Sequence, residues 1–269
     1  MKQGLALVGF GEAGSTFAAA GQWGAGARGF DLHAERRAAM AGAGITACAD
    51  AATALEQAEL VLCLVTADQA LVAANDCAPL LQPGAIWCDM NSVAPDTKRA
   101  AAKAVEAAGG RYVDVAVLAP VEPARLAVSL LLAGKAASEA EVALRSAGFT
   151  NIRVVGDAVG RASAIKMIRS VMVKGIEALT AEMMLAAEKA EVTDEVLASL
   201  DASEKALPWR ERADYNIERM VTHGLRRAAE MEESAKTLQG LGVEPVMTAG
   251  TVRRQREQAG KLIERSPTA

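Results

Sequence analysis

The side chains best suited to chemistry lie on one long apolar stretch, Gly160 to Glu188. Ile165, Met167, Ile168, Val171, Met172, Val173, Ile176 and Leu179 make it apolar on most sides, the composition of a largely buried helix. At about 100° per residue, Ser163, Lys166, Ser170, Lys174 and Glu177 fall within a sector of roughly 80°, and Arg169 borders it. Ammonium and guanidinium groups on such a helix require water, a partner or a ligand. The same spacing also describes the solvated face of a half-exposed helix.

A second cluster comes later in the chain. His223, Arg227 and Glu230 share one helical face and Arg226 lies beside them, a pattern that also fits a solvated helix laced with ion pairs. His33 and His223 are the only histidines, and neither has a second histidine or cysteine at ligand spacing, so no metal site is expected. The sequence has no serine-hydrolase elbow, P-loop or internal repeat.

The third chemical pattern is built from glycine. Gln3 to Val8 reads as a strand, Gly9-Phe10-Gly11-Glu12-Ala13-Gly14 follows, and a helix begins around Ser15. In that strand–turn–helix setting, G-x-G-x-x-G is a dinucleotide fingerprint. The first glycine permits the tight turn, the second lets a pyrophosphate approach the backbone, and the third lets helix and strand pack closely. The helix start offers free N–H groups to the phosphates. The next strand, Ala27 to Phe30, ends in Asp31, where a carboxylate would accept hydrogen bonds from ribose hydroxyls and repel a 2′-phosphate. NAD is therefore favoured over NADP. Arg36 and Arg37 soften that preference, and Asp31 also fits a plain helix N-cap.

These residues need a scaffold. Helical segments (Ala34–Ala43, Ala51–Gln57, Asp68–Ala78, Ala94–Ala108, Glu139–Ala147) alternate with strand-like ones (Leu60–Val65, Ala85–Asp89, Tyr112–Val117, Val128–Leu132, Ile152–Val155). That order predicts an α/β fold, a doubly wound and mainly parallel sheet with ligands at the carboxyl ends of its strands. Those ends carry Val65, Thr66, Asn91, Ser92 and the loop Leu118 to Glu122. After Gly156 the chain reads as helical: the stretch from Gly160, then Thr193–Leu200, Leu207 or Trp209 through Leu241 with a possible break, and Val246–Ile263, before a frayed tail from Arg265. Two domains are expected, 1–157 and 158–269, the second all-α.

Composition narrows the remaining classes. The 269 residues are 51% hydrophobic but 3% aromatic, so the core is aliphatic and alanine-rich. A net charge of −4 gives no reason to expect nucleic acid or an anionic membrane as partner. The apolar runs are too short to span a bilayer, and Met1-Lys2 with the following run reads as a strand rather than a signal peptide. Cys48, Cys63, Cys77 and Cys88 sit in apolar surroundings and read as buried reduced thiols, which points to the cytoplasm.

Taken together, the segments resemble the β-hydroxyacid dehydrogenase superfamily, which includes 6-phosphogluconate dehydrogenase and 3-hydroxyisobutyrate dehydrogenase. Leu7 to Gly14 matches its N-terminal signature, and Asp89-Met90-Asn91-Ser92-Val93-Ala94-Pro95 its substrate-binding segment. Asp114 to Pro120 stands where many members have Asp-Ala-Pro-Val-Ser-Gly-Gly, and Lys166 matches the family's catalytic lysine. The second half looks most like an uncharacterised 6-phosphogluconate dehydrogenase-like subgroup, through Lys166-Met167-Ile168-Arg169-Ser170 and His223 to Met231. Two positions depart from the pattern. Ser170, with Arg169 before it, replaces the usual asparagine, and Leu118-Ala119-Pro120 replaces the Ser-Gly-Gly loop that holds a substrate carboxylate, with proline removing a donor.

The resemblance implies oxidation of a hydroxyl group of a small hydroxy acid or related alcohol by hydride transfer to NAD(P). Lys166 would be general acid/base, its pKa lowered by burial and by Arg169. Ser92 and Ser170 would orient the hydroxyl, and Asn91 would position the nicotinamide or the substrate. Lys174, Arg169, His223 and Arg226 are further candidate substrate contacts, since guanidinium groups bind anions bidentately. A homodimer through the helical domain is also implied. Two other readings remain open: an imine or ketone reductase on the same fold, and a dinucleotide-binding protein without turnover.

Overall fold

The computed structural model describes residues 4–203 and 208–261. Residues 1–3, Leu207, Ile263 and the tail 265–269 lie outside the described residues, as do the side chains of Val171, Lys174, Glu177, Trp209 and Glu230. The chain forms two compact units, Met1–Ser170 and Val171–Ala269.

The first unit is built on one sheet. Its strands are β1 (Leu5–Val8), β2 (Ala27–Phe30), β3 (Thr46–Ala47), β4 (Leu60–Cys63), β5 (Ile86–Asp89), β6 (Arg111–Val117), β7 (Leu130–Ala133) and β8 (Ile152–Gly156). They lie in the order β3-β2-β1-β4-β5-β6-β7-β8. From β3 to β6 every pairing is parallel; β7 then runs antiparallel to β6, and β8 parallel to β7. The connecting helices are α1 (Glu12–Gly21), α2 (Ala34–Met40), α3 (Ala51–Leu55), α4 (Ala70–Cys77), α5 (Pro95–Ala107) and α6 (Ala137–Ser146).

Side-chain alternation explains why both faces are covered. Leu5, Leu7, Leu60, Leu62, Ile86 and Cys88 enter one core, and their neighbours Ala6, Val8, Val61, Cys63 and Trp87 enter the other. Strands buried on both faces read as continuous apolar runs, which is what parallel sheets require. All four cysteines are buried and free. The order of strands reverses direction at β1, which lies between β2 and β4. A doubly wound sheet opens a crevice at such a point, beyond the carboxyl ends of its strands.

Helix α7 (Arg161–Lys189) begins in the first unit. In the second unit it is followed by α8 (Thr193–Ser203), α9 (Trp209–Gly240) and α10 (Val246–Gln258). No strand occurs after Gly156 among the described residues. Helix α9 is continuous, and Gly224 within it has a packing role rather than a breaking one. A β-carbon there would lie 2.3 Å from the Gln255 carbonyl oxygen, so glycine lets α9 and α10 approach. Glu182 caps α10, accepting from the Met247 and Thr248 backbone N–H groups at 2.7 and 2.9 Å and from the Thr248 hydroxyl at 2.6 Å. Burial pushes the Glu182 carboxyl up, but these hydrogen bonds more than reverse that and hold it below its ordinary value. Among the described residues, no helix is long and apolar enough to cross a membrane.

Candidate functional site

A groove of about 720 Å³ opens in the first unit at the switch point. Val8 and Gly9 after β1, Leu64 to Thr66 after β4, and Met90 to Ser92 after β5 line it, with Asp31 after β2 and Val117, Ala119 and Pro120 after β6. Lys166, one turn into α7, completes the lining. Of the expected cofactor positions, Gly9, Gly11, Glu12, Ala13, Asp31, Val65, Thr66 and Asn91 line this cavity together with Lys166, whereas Phe10 and Gly14 do not.

The glycine turn fits a dinucleotide phosphate. Gly9 has φ +93°, and a β-carbon on it would lie 2.5 Å from the Leu64 carbonyl oxygen. A β-carbon at Gly14 would lie 2.8 Å from the Gly9 carbonyl oxygen. At Gly11 it would meet nothing within 4 Å, so the space over the second glycine is open. Gly11 is also the N-cap of α1, with no side-chain capping bond, and the first helical bond runs from Ser15 N to the Gly11 carbonyl at 3.0 Å. The N–H groups of the first turn, Glu12 and Ala13 among them, are those left for an anion. Phe10 supports the turn from beneath; it is buried, and its N–H donates to Asp31 Oδ2 at 2.7 Å.

Asp31 therefore does two things. Oδ2 ties β2 to the glycine turn, and Oδ1 accepts from His33 N at 2.9 Å, while the carboxylate remains at the groove edge. It does not cap α2, whose N-cap is His33. The two arginines separate: Arg37 donates to the Asp31 and Leu32 carbonyls at 2.6 and 3.0 Å, whereas Arg36 and His33 line the groove.

At the other end, Lys166 Nζ donates to the Ser92 hydroxyl. Asn91 is buried beside this pair. Its Nδ2 donates to Asp89 Oδ1 at 2.8 Å and to Cys63 Sγ at 3.3 Å, which leaves Oδ1 as the free end of the amide. That oxygen is buried without a hydrogen-bond partner among the described residues, an acceptor in want of a donor such as an amide N–H. Arg169, exposed, donates to the Leu118 carbonyl at 3.3 Å, and Leu118 N donates to Ser129 O at 2.9 Å. The loop that departs from the family pattern is thus held by its first residue and presents Ala119 and Pro120 to the groove. Ser170 lies half-buried one turn beyond Lys166. His223, half-buried, and Arg226, exposed, stand on α9 in the second unit, and the Lys174 side chain is outside the described residues.

Ser163 differs from expectation. It shares the polar sector of α7, yet it is 2% exposed and donates to Asp114 Oδ2 at 3.1 Å. Sequence reasoning also passed over Lys98, which is wholly buried, with Nζ 2.8 Å from Asp89 Oδ1 and 3.6 Å from Asp114 Oδ1. The Tyr112 hydroxyl donates to Asp89 Oδ2 at 2.6 Å; burial and the adjacent carboxylate push that hydroxyl well above its ordinary range, so it stays a donor. A signal for Lys98 was present: with Ala101, Ala102 and Val105 it takes the i, i+3, i+4, i+7 positions of the buried face of α5. No group of three or more histidine, cysteine or acidic residues that could hold a metal ion occurs among the described residues.

The fold and the groove define a dinucleotide-binding α/β unit followed by a helical unit. Residues 4–156 match the family described as the NAD binding domain of 6-phosphogluconate dehydrogenase, and the chain belongs to that family. Residues 187–258 match a domain of unknown function, DUF1932. A conserved hypothetical protein from Sinorhizobium meliloti is 35% identical over 100% of this chain and 92% of its own, with a TM-score of 0.64. Another conserved protein of unknown function, described as structurally similar to 3-hydroxyacid dehydrogenases, is 28% identical over 94% of this chain and 96% of its own, with a TM-score of 0.62. An imine reductase from Myxococcus stipitatus, solved with NAD+, shares the fold at a TM-score of 0.78 and 17% identity, covering 96% of this chain and 94% of its own. The chain thus falls within the β-hydroxyacid dehydrogenase superfamily.

Proposed function

We propose that the protein is an NAD(P)-dependent oxidoreductase that oxidises a hydroxyl group of a small hydroxy acid or related alcohol. One observation carries the reading: the Lys166–Ser92 hydrogen bond lies in the same groove as the open glycine turn. Gly9, Gly11, Glu12 and Ala13 would hold the pyrophosphate by backbone N–H groups, Asp31 the adenosine ribose, and Val65, Thr66 and Asn91 the nicotinamide end. Bound there, a nicotinamide dinucleotide supplies the hydride acceptor. Lys166 takes the hydroxyl proton, or returns it in reverse, and Ser92 orients the oxygen; a positioned acid/base of this kind contributes about a hundred- to ten-thousandfold. Lys166→Met should cut turnover by about a thousandfold and leave NADH affinity unchanged. Near-normal turnover would remove Lys166 from the mechanism.

The Asp31 carboxylate at the groove edge supports NAD over NADP, with Arg36 and His33 as the competing influence. Titration with NADH and NADPH decides the matter, and a preference for NADPH would move imine or ketone reduction to the front. Bound NADH without turnover on a broad alcohol panel would leave a binding role alone. Ile176, Leu179 and Leu185 of α7 are about half exposed, at 46%, 46% and 53%, and support a homodimer through the helical unit, measurable by light scattering. The four free buried thiols support a cytoplasmic setting.

A further inference from the structure

Each partner of the Lys166–Ser92 pair rests on a buried carboxylate, and one buried lysine joins the two carboxylates. On the strand side, Asp89 Oδ1 accepts from Asn91 N at 2.9 Å and Asn91 Nδ2 at 2.8 Å, which sets the turn that carries Ser92. On the helix side, Asp114 Oδ2 accepts from Gly160 N at 3.1 Å, Ser163 N at 3.0 Å and Ser163 Oγ at 3.1 Å. Those donors form the start of α7, and Lys166 lies one turn beyond Ser163 on the same face. Lys98 Nζ lies between, bonded to Asp89 Oδ1 and to the Asp89 carbonyl at 2.6 Å, and 3.6 Å from Asp114 Oδ1. Lys98, Asp89 and Asp114 are each 0% exposed.

From this arrangement we infer that Lys98, Asp89 and Asp114 are positioning residues, a buried bracket that sets the Lys166 amine against the Ser92 hydroxyl. Packing alone does not call for them, since a buried ion cluster is commonly matched or bettered in stability by apolar side chains of the same volume. Hydrogen-bonding charges do fix direction, because a carboxylate that accepts three donors from one helix start leaves it little freedom to rotate or slide. The bracket also accounts for the orientation of Asn91, whose amide nitrogen faces Asp89 while its oxygen is left over. None of these residues reaches the groove except through Asn91, Ser92 and Lys166. The inference rests on the proposed oxidoreductase reading for its catalytic meaning; the bracket itself can be tested without a substrate.

The test is the reactivity of the Lys166 amine. The intact protein is treated with limiting acetic anhydride, and acetylation of Lys166 is measured by peptide mass spectrometry relative to exposed Lys103 and Lys135. The comparison is among wild type, Asp114→Asn and Ser163→Ala. One net hydrogen bond shifts an equilibrium about fivefold, so Asp114→Asn should raise the Lys166 ratio by about fivefold and Ser163→Ala by roughly twofold. General loosening would also expose the buried Lys98 to the reagent, so a rise at Lys166 with Lys98 still unmodified is the result expected. Ser163→Ala removes one hydroxyl only and decides the matter if Asp114→Asn does not fold. Wild-type ratios in the folded variants would overturn the inference. NADH titration of the same samples reports separately on the oxidoreductase reading: its failure in wild type would sink that reading, while the Lys166 ratios would still decide the bracket.

Discussion

Two helix starts in the first unit face opposite fates. Helix α1 begins at Gly11, where no side chain caps it and a β-carbon would meet open space. Helix α7 begins under Asp114, which takes three of its donors from 46 to 49 residues away in the chain. The same kind of backbone N–H group is therefore left open in one case and serves the protein in the other. A helix start becomes an anion site only where the protein withholds a cap. Where it supplies one, the helix is fixed, and a side chain one turn along inherits that fixity.

Four substitutions would break or sharpen this contrast. The largest effect is expected at the closed start. Lys98→Met would leave two carboxylates buried without their cation, and breaking a buried pair in this way costs about 3–5 kcal/mol. Urea denaturation of the variant measures it, and a loss below about 1 kcal/mol would show that Lys98 is dispensable to the cluster. At the open start, Gly11→Val fills the space a pyrophosphate needs. NADH affinity should fall about a hundredfold, roughly 2.7 kcal/mol, with the unfolding temperature little changed. Retained affinity would move the phosphate away from Gly11. A smaller effect is expected where the contrast is reversed by design: Asp114→Ala opens the α7 cap and should cost about 1–3 kcal/mol of stability for donors left unpaired, without creating phosphate affinity, since α7 starts in a buried site. New phosphate binding, seen by calorimetry, would contradict that.

The smallest effect belongs to a third helix start, that of α10, capped by Glu182. Its carboxyl is lowered in the folded state, so its contribution is complete above the unfolded value, about 4.3, and is lost as pH falls through the lower folded value. Protection of α10 amides, measured by hydrogen exchange relative to the intrinsic rate at each pH, should fall across that acid range, and Glu182→Gln should flatten the dependence. An unchanged profile in the variant would assign the acid sensitivity to other carboxylates.

Much of the scaffold was legible because it is written in local periodicity. Ala27–Phe30 is a strand with the expected limits, and β1, β4 and β5 fall within expected apolar runs. The two-residue β3, Thr46–Ala47, was not, since both residues are exposed and carry no apolar alternation. The groove was legible wherever strand ends name it, from Gly9 to Ser92. What eluded the sequence depends on pairs distant in the chain. Ser163 has a stripe position that spacing assigns to the polar face, yet Asp114 turns it inward. Lys98 falls on the apolar face of α5, but its partners are legible only once Asp89 and Asp114 are placed on either side of it. The possible break in α9 does not occur, and Gly224 within that helix answers to α10.

The position of β1 has a consequence for how the chain is made. It is made before the other strands of this sheet and is one of the strands that needs a neighbour on both sides, β2 and β4. Between the end of β2 at Phe30 and the start of β4 at Leu60, one edge of β1 has its partner and the other has none. At about 5–20 residues per second that interval lasts roughly 1.5–6 s, with an apolar edge of Leu-Ala-Leu-Val unpaired. Synthesis thus passes through a short window in which this apolar strand edge is open to non-native pairing.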